Sequence, residues 1–195
     1  MNTGKFLKES LIKLQKLGID VLAQEKTIEN GILSMPQEVL DAMEIENILG
    51  MILSSAGYIL RQQGVSSMYV FDLEVPDISC MYTDFLESIS RIAAGELVFT
   101  EIEEKTLQED PESGQGIQTV RFRCNGMACE YKARLDYDWF DTGIFACLNG
   151  VLAEQNGNGR LYITGDGYQG CIVLYRTEAW AQRFYEMFGI NLERP

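Results

Sequence analysis

Two short stretches hold most of the side chains that could do chemistry. Residues 136–141 read DYDWFD and residues 165–170 read GDGYQG. The first sets Asp136, Asp138 and Asp141 around Tyr137 and Trp139; the second sets Asp166, Tyr168 and Gln169 among glycines. Three readings suit these residue types. Trp and Tyr bring large contact area and are enriched at binding hot spots, and neighbouring carboxylates select cationic partners. On that reading Tyr137, Asp138, Trp139, Asp166, Tyr168 and Gln169 form a protein-binding edge. Alternatively, Asp136, Asp138, Asp141 and Asp166 supply the oxygen ligands that suit Mg²⁺ or Ca²⁺. DYDWFD lacks the third Asp and the Gly of an EF-hand at the required offsets, which makes it a weak metal motif. The default reading is structural: Gly165, Gly167 and Gly170 permit a tight loop, Asp138 or Asp141 caps a helix, and Trp139 covers the core. A phosphate cradle is excluded for GDGYQG, because a strand follows it and not a helix N-terminus.

What is missing narrows the chemistry further. The chain has no His, which removes Ser-His and Cys-His pairs, His-containing zinc sites and HExxH. There is no P-loop, and no GxGxxG follows a strand. Catalysis would have to run on carboxylates, Tyr, Lys or a thiolate without a His partner. No catalytic residue is nominated and no cofactor is expected.

The 195 residues suit one domain with an ordinary globular composition, 46% hydrophobic and 23% charged. The net charge of −13 is not ordinary, and it is unevenly placed: residues 1–26 carry five Lys against three acids, and residues 27–195 carry 26 acids against 11 Lys and Arg. Such a body repels nucleic acid and anionic membrane and attracts a basic partner, and the same charge keeps a protein soluble. The start has an amphipathic rhythm, not a secretory h-region, and ILGMILSSAGYIL (48–60) is too short and interrupted to span a bilayer. A cytoplasmic location is expected, with all five Cys as thiols.

These stretches need elements to position them. Phe6, Leu7, Leu11, Leu14 and Leu17 predict a helix over 4–17 that Gly18 stops. Residues 19–33 are ambiguous, with ENG (29–31) read as a turn. Ser34 is the expected cap of a second helix that carries the stripe Ile45, Ile48, Leu49, Ile52, Leu53, Ala56, Ile59 and Leu60. Beside that stripe Gly50, Ser54 and Gly57 form a ridge where another backbone can approach. SMYVFDLEV (67–75) reads as a strand, 81–92 as a helix closed by Gly95, 96–104 as a strand, and KTLQEDPESGQG (105–116) as a mobile loop.

The clearest segment is 117–135. Asn-Gly between two alternating runs is the strongest short hairpin signal. A two-residue loop pairs Cys124 with Met127, Phe122 with Cys129 and Val120 with Tyr131 on one apolar face, and Arg121 with Glu130 on the other. A helix through Phe140, Ile144, Leu148, Val151 and Leu152 follows. Strands at 160–164 and 171–175 flank GDGYQG, and Thr177 caps a last helix that Gly189 stops.

The expected class is α+β: a mainly antiparallel sheet of five to six strands with helices packed on it, preceded by an N-terminal helical segment (1–64) on an α+β body (65–195), within one domain. With each helix packed antiparallel on its preceding strand, parity brings 136–141 and 165–170 to the same end of the sheet. The functional expectation is a non-catalytic protein-binding module, in concrete form an acidic immunity or antidote-type protein that neutralises a basic bacterial partner. The alternative is a His-free enzyme using the 136–141 and 166 carboxylates with a divalent cation. A third reading is an assembly component, which would leave the 45–60 stripe exposed.

Overall fold

The computed structural model describes residues 3–65, 67–93, 95–110 and 112–195, with backbone only for 107–109. In chain order the elements are α1 (Thr3–Lys16), a 3₁₀ turn (Leu22–Gln24), α2 (Glu25–Leu33), α3 (Gln37–Ala42), α4 (Ile45–Gln62), β1 (Tyr69–Asp72), α5 (Met81–Ile92), β2 (Phe99–Asp110), β3 (Gln115–Cys124), β4 (Met127–Asp136), α6 (Ile144–Glu154), β5 (Arg160–Gly165), β6 (Gly170–Arg176) and α7 (Glu178–Phe188). The fold is α+β. Among the described residues six strands form two three-stranded antiparallel sheets, ordered β1-β6-β5 and β2-β3-β4, where one sheet was expected. The chain divides into two compact units, residues 1–71 with 162–193 and residues 72–161 with 194–195. No helix among the described residues is long and apolar enough to cross a membrane.

In the first unit the helical stripe read from the sequence is the core. Leu7, Leu11 and Leu14 of α1 pack with Ile48, Leu49, Ile52, Leu53, Ala56 and Leu60 of α4 and with Trp180 and Phe184 of α7. The 45–60 stripe is thus covered within the unit, apart from its end residue Ile45, which stays exposed. The Trp180 indole N–H donates to the Leu17 carbonyl at 2.7 Å, which satisfies a carbonyl at the end of α1. Thr177 caps α7, its hydroxyl accepting from the Trp180 N–H at 3.3 Å, and Gly189 ends the helix at φ 71°. The glycine ridge does what its spacing allows. A Cβ on Gly50 would run into the Gly165 carbonyl oxygen and stand 2.8 Å from the Asp166 Cα, and one on Gly57 would strike Val70.

Several local readings change, and the single second helix expected after Ser34 is two helices, α3 and α4, with Met43 extended between them. ENG lies inside α2, because Ile28 and Ile32 bury a helical face there and that burial outweighs the turn propensity of Asn30 and Gly31. Ser34 caps no following helix; it closes α2 by donating its hydroxyl to the Gly31 carbonyl, and Pro36 precedes α3. The stretch 105–116 is mostly strand: β2 runs to Asp110 and β3 starts at Gln115. Its polarity reflects a solvated strand face, and the turn between is short, with Pro111 outside the described residues.

The second unit is built on the hairpin. β3 and β4 pair in the expected register throughout, with Cys124 opposite Met127, Phe122 opposite Cys129, Val120 opposite Tyr131 and Arg121 opposite Glu130. The Arg121 and Glu130 side chains meet at 2.8 Å. Asn125 and Gly126 take φ of 51° and 85°, as a two-residue turn requires. Asn125 has a second job: its side chain accepts from the Val98 N–H at 2.8 Å and donates to the Glu96 carbonyl and the Gln155 amide oxygen. α5 is capped from a distance. The Glu104 carboxylate on β2 accepts from the Tyr82 and Thr83 N–H groups and the Thr83 hydroxyl at the helix N-terminus. Tyr82, Phe85, Phe140 and Phe145 form an aromatic cluster, with Phe85 and Phe145 edge to face at 5.1 Å.

All five cysteines are free thiols. Burial pushes the Cys124 thiol up to about 11 and the Cys171 thiol up to about 12.

Gly50→Ala should lower stability by ~2 kcal/mol or more, because backbone must move to admit the methyl group. Gly31→Ala, where a Cβ meets nothing within 4 Å, should raise it by ~0.5–1 kcal/mol through the unfolded state; urea unfolding of both variants measures the contrast. The thiols give a pH dependence. Their folded pKa values lie above the unfolded value of about 8.5. Their contribution is therefore full below that pH and is lost as pH rises toward the folded values. Stability should fall between about pH 8.5 and 11, and Cys171→Ala should make the fall shallower in urea titrations across that range.

Candidate functional site

DYDWFD lies in the second unit, at the exit of β4. Its backbone is fixed on both sides. On one side the Tyr137 N–H donates to the Gly114 carbonyl at 2.8 Å, and its ring covers Gly114, where a Cβ could not fit. Tyr137 itself sits at φ 55°, uncommon for a residue with a side chain, and is held there by this contact. On the other side residues 72–75 run alongside. Val75 N–H donates to the Asp138 carbonyl and Phe140 N–H to the Leu73 carbonyl, each at 2.8 Å, with Glu74 opposite Trp139. Fixed this way, Tyr137 is 59% and Trp139 42% exposed. Trp139 is not the core cover that the structural reading expected.

The acids around these rings differ in occupation. Asp136 takes the Arg134 guanidinium at 2.7 Å and the Gln115 amide at 3.4 Å. Asp138 is half-buried, with no pairing of its own to Arg or Lys within salt-bridge reach among the described residues. Asp141 is structural: one oxygen accepts from the Tyr131 hydroxyl at 2.8 Å and the Arg134 N–H at 2.7 Å, the other from the Gly143 N–H at 3.0 Å. It makes an Asx turn ahead of α6, and the residue at the helix cap is Gly143 with no side-chain bond, so neither Asp138 nor Asp141 is the helix cap the sequence suggested. Burial, and then the bond to Asp141, raises the Tyr131 phenol above its ordinary pKa; burial does the same to Tyr82, whose hydroxyl receives the Asp141 N–H at 3.2 Å.

The neighbouring strand segment adds carboxylates that the sequence reading missed. The Glu74–Trp139 pairing brings the segment that carries Asp72, Glu74 and Asp77 alongside residues 138–140. The Asp72 carboxylate accepts from the Glu74 N–H, and Asp77 from the hydroxyl and N–H of Ser79. The Ser79 hydroxyl, first, and its N–H hold Asp77 below its usual pKa. Nothing local in DLEVPD announces this placement, because the pairing spans more than sixty residues of chain. By residue count the unit carries 17 Asp and Glu against eight Lys and Arg, net −9 of the chain's −13.

GDGYQG lies in the first unit, between β5 and β6. The Asp166 carboxylate turns back into its own loop and accepts from the Tyr168 and Gly170 N–H groups at 2.9 and 3.1 Å. Gly170 is required there because a Cβ would strike that carboxylate, and Gly167, at φ 86°, lies under Asn47. The loop backs onto Gly50 of α4, and Tyr168 stands 67% exposed. Strand parity places this loop beside DYDWFD only within one sheet. β4 and β5 belong to different sheets, so parity has no common edge to act on. Tyr137, Asp138 and Trp139 fall in one compact unit and Asp166, Tyr168 and Gln169 in the other.

Among the described residues no three Cys, Asp or Glu side chains are grouped to hold a metal ion. Two open depressions, of about 380 and 440 Å³, lie on the second unit, and Asp136, Asp138, Asp141 and Asp166 line neither. No protein-family model, curated protein or solved structure matches the chain.

Asp141→Ala should cost ~3 kcal/mol, since a charged acceptor of three hydrogen bonds disappears. Trp139→Ala should cost less than ~1.5 kcal/mol, well under the 3–5 of a buried aromatic. Chemical denaturation of both variants checks the ranking.

Proposed function

We propose that the protein is a non-catalytic binding module of the cytoplasm whose partner is a basic protein, and that Tyr137 and Trp139 anchor the contact. One observation carries this reading: two large aromatic side chains, two residues apart, stand exposed on a backbone pinned from both flanks. A rigid, exposed aromatic gains much by burial and loses little conformational entropy on binding. Glu74, Asp136 and Asp138 around the rings favour a Lys- or Arg-bearing surface, and the net −9 of this unit steers such a partner in. Tyr168, on the loop organised by Asp166, is a further exposed aromatic of the same chemistry, with Gln169 beside it. In its concrete form the module is an immunity or antidote-type protein that neutralises a basic toxin. That form rests on size and acidity alone. Nucleic acid and anionic membrane are disfavoured as partners by the same charge.

The experiment is affinity capture from the native lysate, followed by binding measurements with the recovered partner. Tyr137→Ala and Trp139→Ala should each weaken affinity by about tenfold or more, mainly through faster dissociation. Added salt should slow association of the wild type. Full affinity in both variants at unchanged melting temperature would remove this edge from the account of binding. Tyr168→Ala and Asp166→Lys test the other loop separately.

A further inference from the structure

The two edges of the sheet β2-β3-β4 are not alike. β2 is interrupted by register shifts between Thr100 and Glu103 and between Thr106 and Gln108, with Glu101 at φ 52°. Bulges of this kind blunt an edge against further pairing. β4 pairs with β3 from Met127 to Asp136 with no shift at all, and its outer edge is straight.

The phase of that edge follows from the turn. Residues flanking a two-residue hairpin loop form a hydrogen-bonded pair, so 127, 129, 131, 133 and 135 direct their backbone groups at β3. Ala128, Glu130, Lys132 and Arg134 direct theirs outward. Arg134 bears this out, because its N–H leaves the sheet to reach Asp141 at 2.7 Å. The N–H groups of Ala128, Glu130 and Lys132 have no partner among the described residues, and all three side chains are exposed.

The geometry points to a second copy of this chain as the occupant: β4 pairs antiparallel with β4 of another molecule about a two-fold axis at Tyr131. Charge selects the occupant and the register. With the axis at Tyr131, Glu130 of each copy lies opposite Lys132 of the other, and each of these two pairs exchanges both backbone hydrogen bonds. An axis at Glu130 or at Lys132 would set like charges face to face. An axis at Cys129 would put Lys132 opposite Gly126 and forgo both charge pairs. Lys132 has no ion pair among the described residues, and Glu130, already bonded to Arg121, has acceptor capacity left. Lys on an edge strand commonly guards against pairing; Glu130 two residues away turns that guard into a self-complementary pattern. The contact is self-limiting. The Arg134 N–H is already taken by Asp141, so the ladder stops there, and the two-fold axis uses up the only straight edge of this sheet. This inference is independent of the aromatic edge and of the binding role proposed for it.

Sedimentation equilibrium of the full chain over a concentration series tests it. The wild type should approach twice the mass of the chain. Lys132→Glu and Glu130→Lys should each weaken self-association by about tenfold or more, since each sets like charges opposite one another. Mixed in equal amounts, the two variants should recover a dimer, because one chain then presents two lysines and the other two glutamates. Lys132→Pro removes only an outward N–H and should also yield a monomer with native circular dichroism; it decides the matter if a charge variant fails to fold. Trp139→Ala should leave the dimer unchanged. A wild type that stays monomeric at every concentration overturns the inference. So does a dimer that survives both Lys132→Glu and Lys132→Pro, a folded variant pair that fails to associate on mixing, or a dimer lost in Trp139→Ala.

Discussion

The second unit turns on one carboxylate. Asp141 accepts hydrogen bonds from the Tyr131 hydroxyl, the Arg134 N–H and the Gly143 N–H, while its own N–H donates to the Tyr82 hydroxyl. Those four bonds determine how the chain leaves β4, crosses the aromatic cluster and enters α6. With both ends of 134–143 tied, Tyr137 and Trp139 have no route inward, and their exposure is a consequence of the turn, not an accident of packing. The same carboxylate also closes the outer edge of β4 at Arg134. Gly143 is part of the arrangement, since a Cβ there would meet the Tyr131 hydroxyl.

The acidity of the chain takes on a different meaning in this light. Asp72, Asp77, Glu104, Asp110, Asp141 and Asp166 all accept backbone N–H groups in turns or at a helix end. A carboxylate suits that work because it offers two oxygens and a charge, and a charge-assisted bond is stronger than a neutral one. Most of these carboxylates hold turns, and Glu104 holds the N-terminus of α5. Part of the −13 is therefore structural, spent on the chain's own turns and on the start of α5.

What could be read from the sequence was whatever had a local cause. The Asn-Gly turn fixes the register of β3 and β4 with no outside help, and every pair followed. The Gly50–Gly57 ridge announced a close backbone approach, and Thr177 and Gly189 bounded α7, because caps and small-residue ridges are short-range features. The misses have non-local causes. ENG is helical because Ile28 and Ile32 are buried by other helices. Residues 105–110 form strand because β3 pairs with them, although their own composition reads as loop. The two-sheet division could not be seen, since the strands are equally antiparallel-compatible in one sheet or two, and the assumed common edge went with it. Glu74 joined the candidate site through a pairing with Trp139 that no spacing in DLEVPD encodes.

Remote capping also bears on how the second unit responds to stress. α7 carries its own cap, so its N-terminus is satisfied wherever the helix goes. α5 does not: its first N–H groups are bonded to Glu104 on β2, whose other contact is the Gln118 amide of β3 at 3.1 Å. Detaching β2 would leave the start of α5 without an acceptor and the buried Gln118 amide with only the long bond to the Ile78 carbonyl. Unmet buried polar groups are costly, so a partly opened state with β2 loose and α5 intact is disfavoured. Asn125 couples elements in the same way: one side chain serves the turn, the 96–98 segment and Gln155 just after α6. Strand, helix and turn are coupled through shared acceptors and donors more than through local propensity, and the unit should open as a whole or not at all.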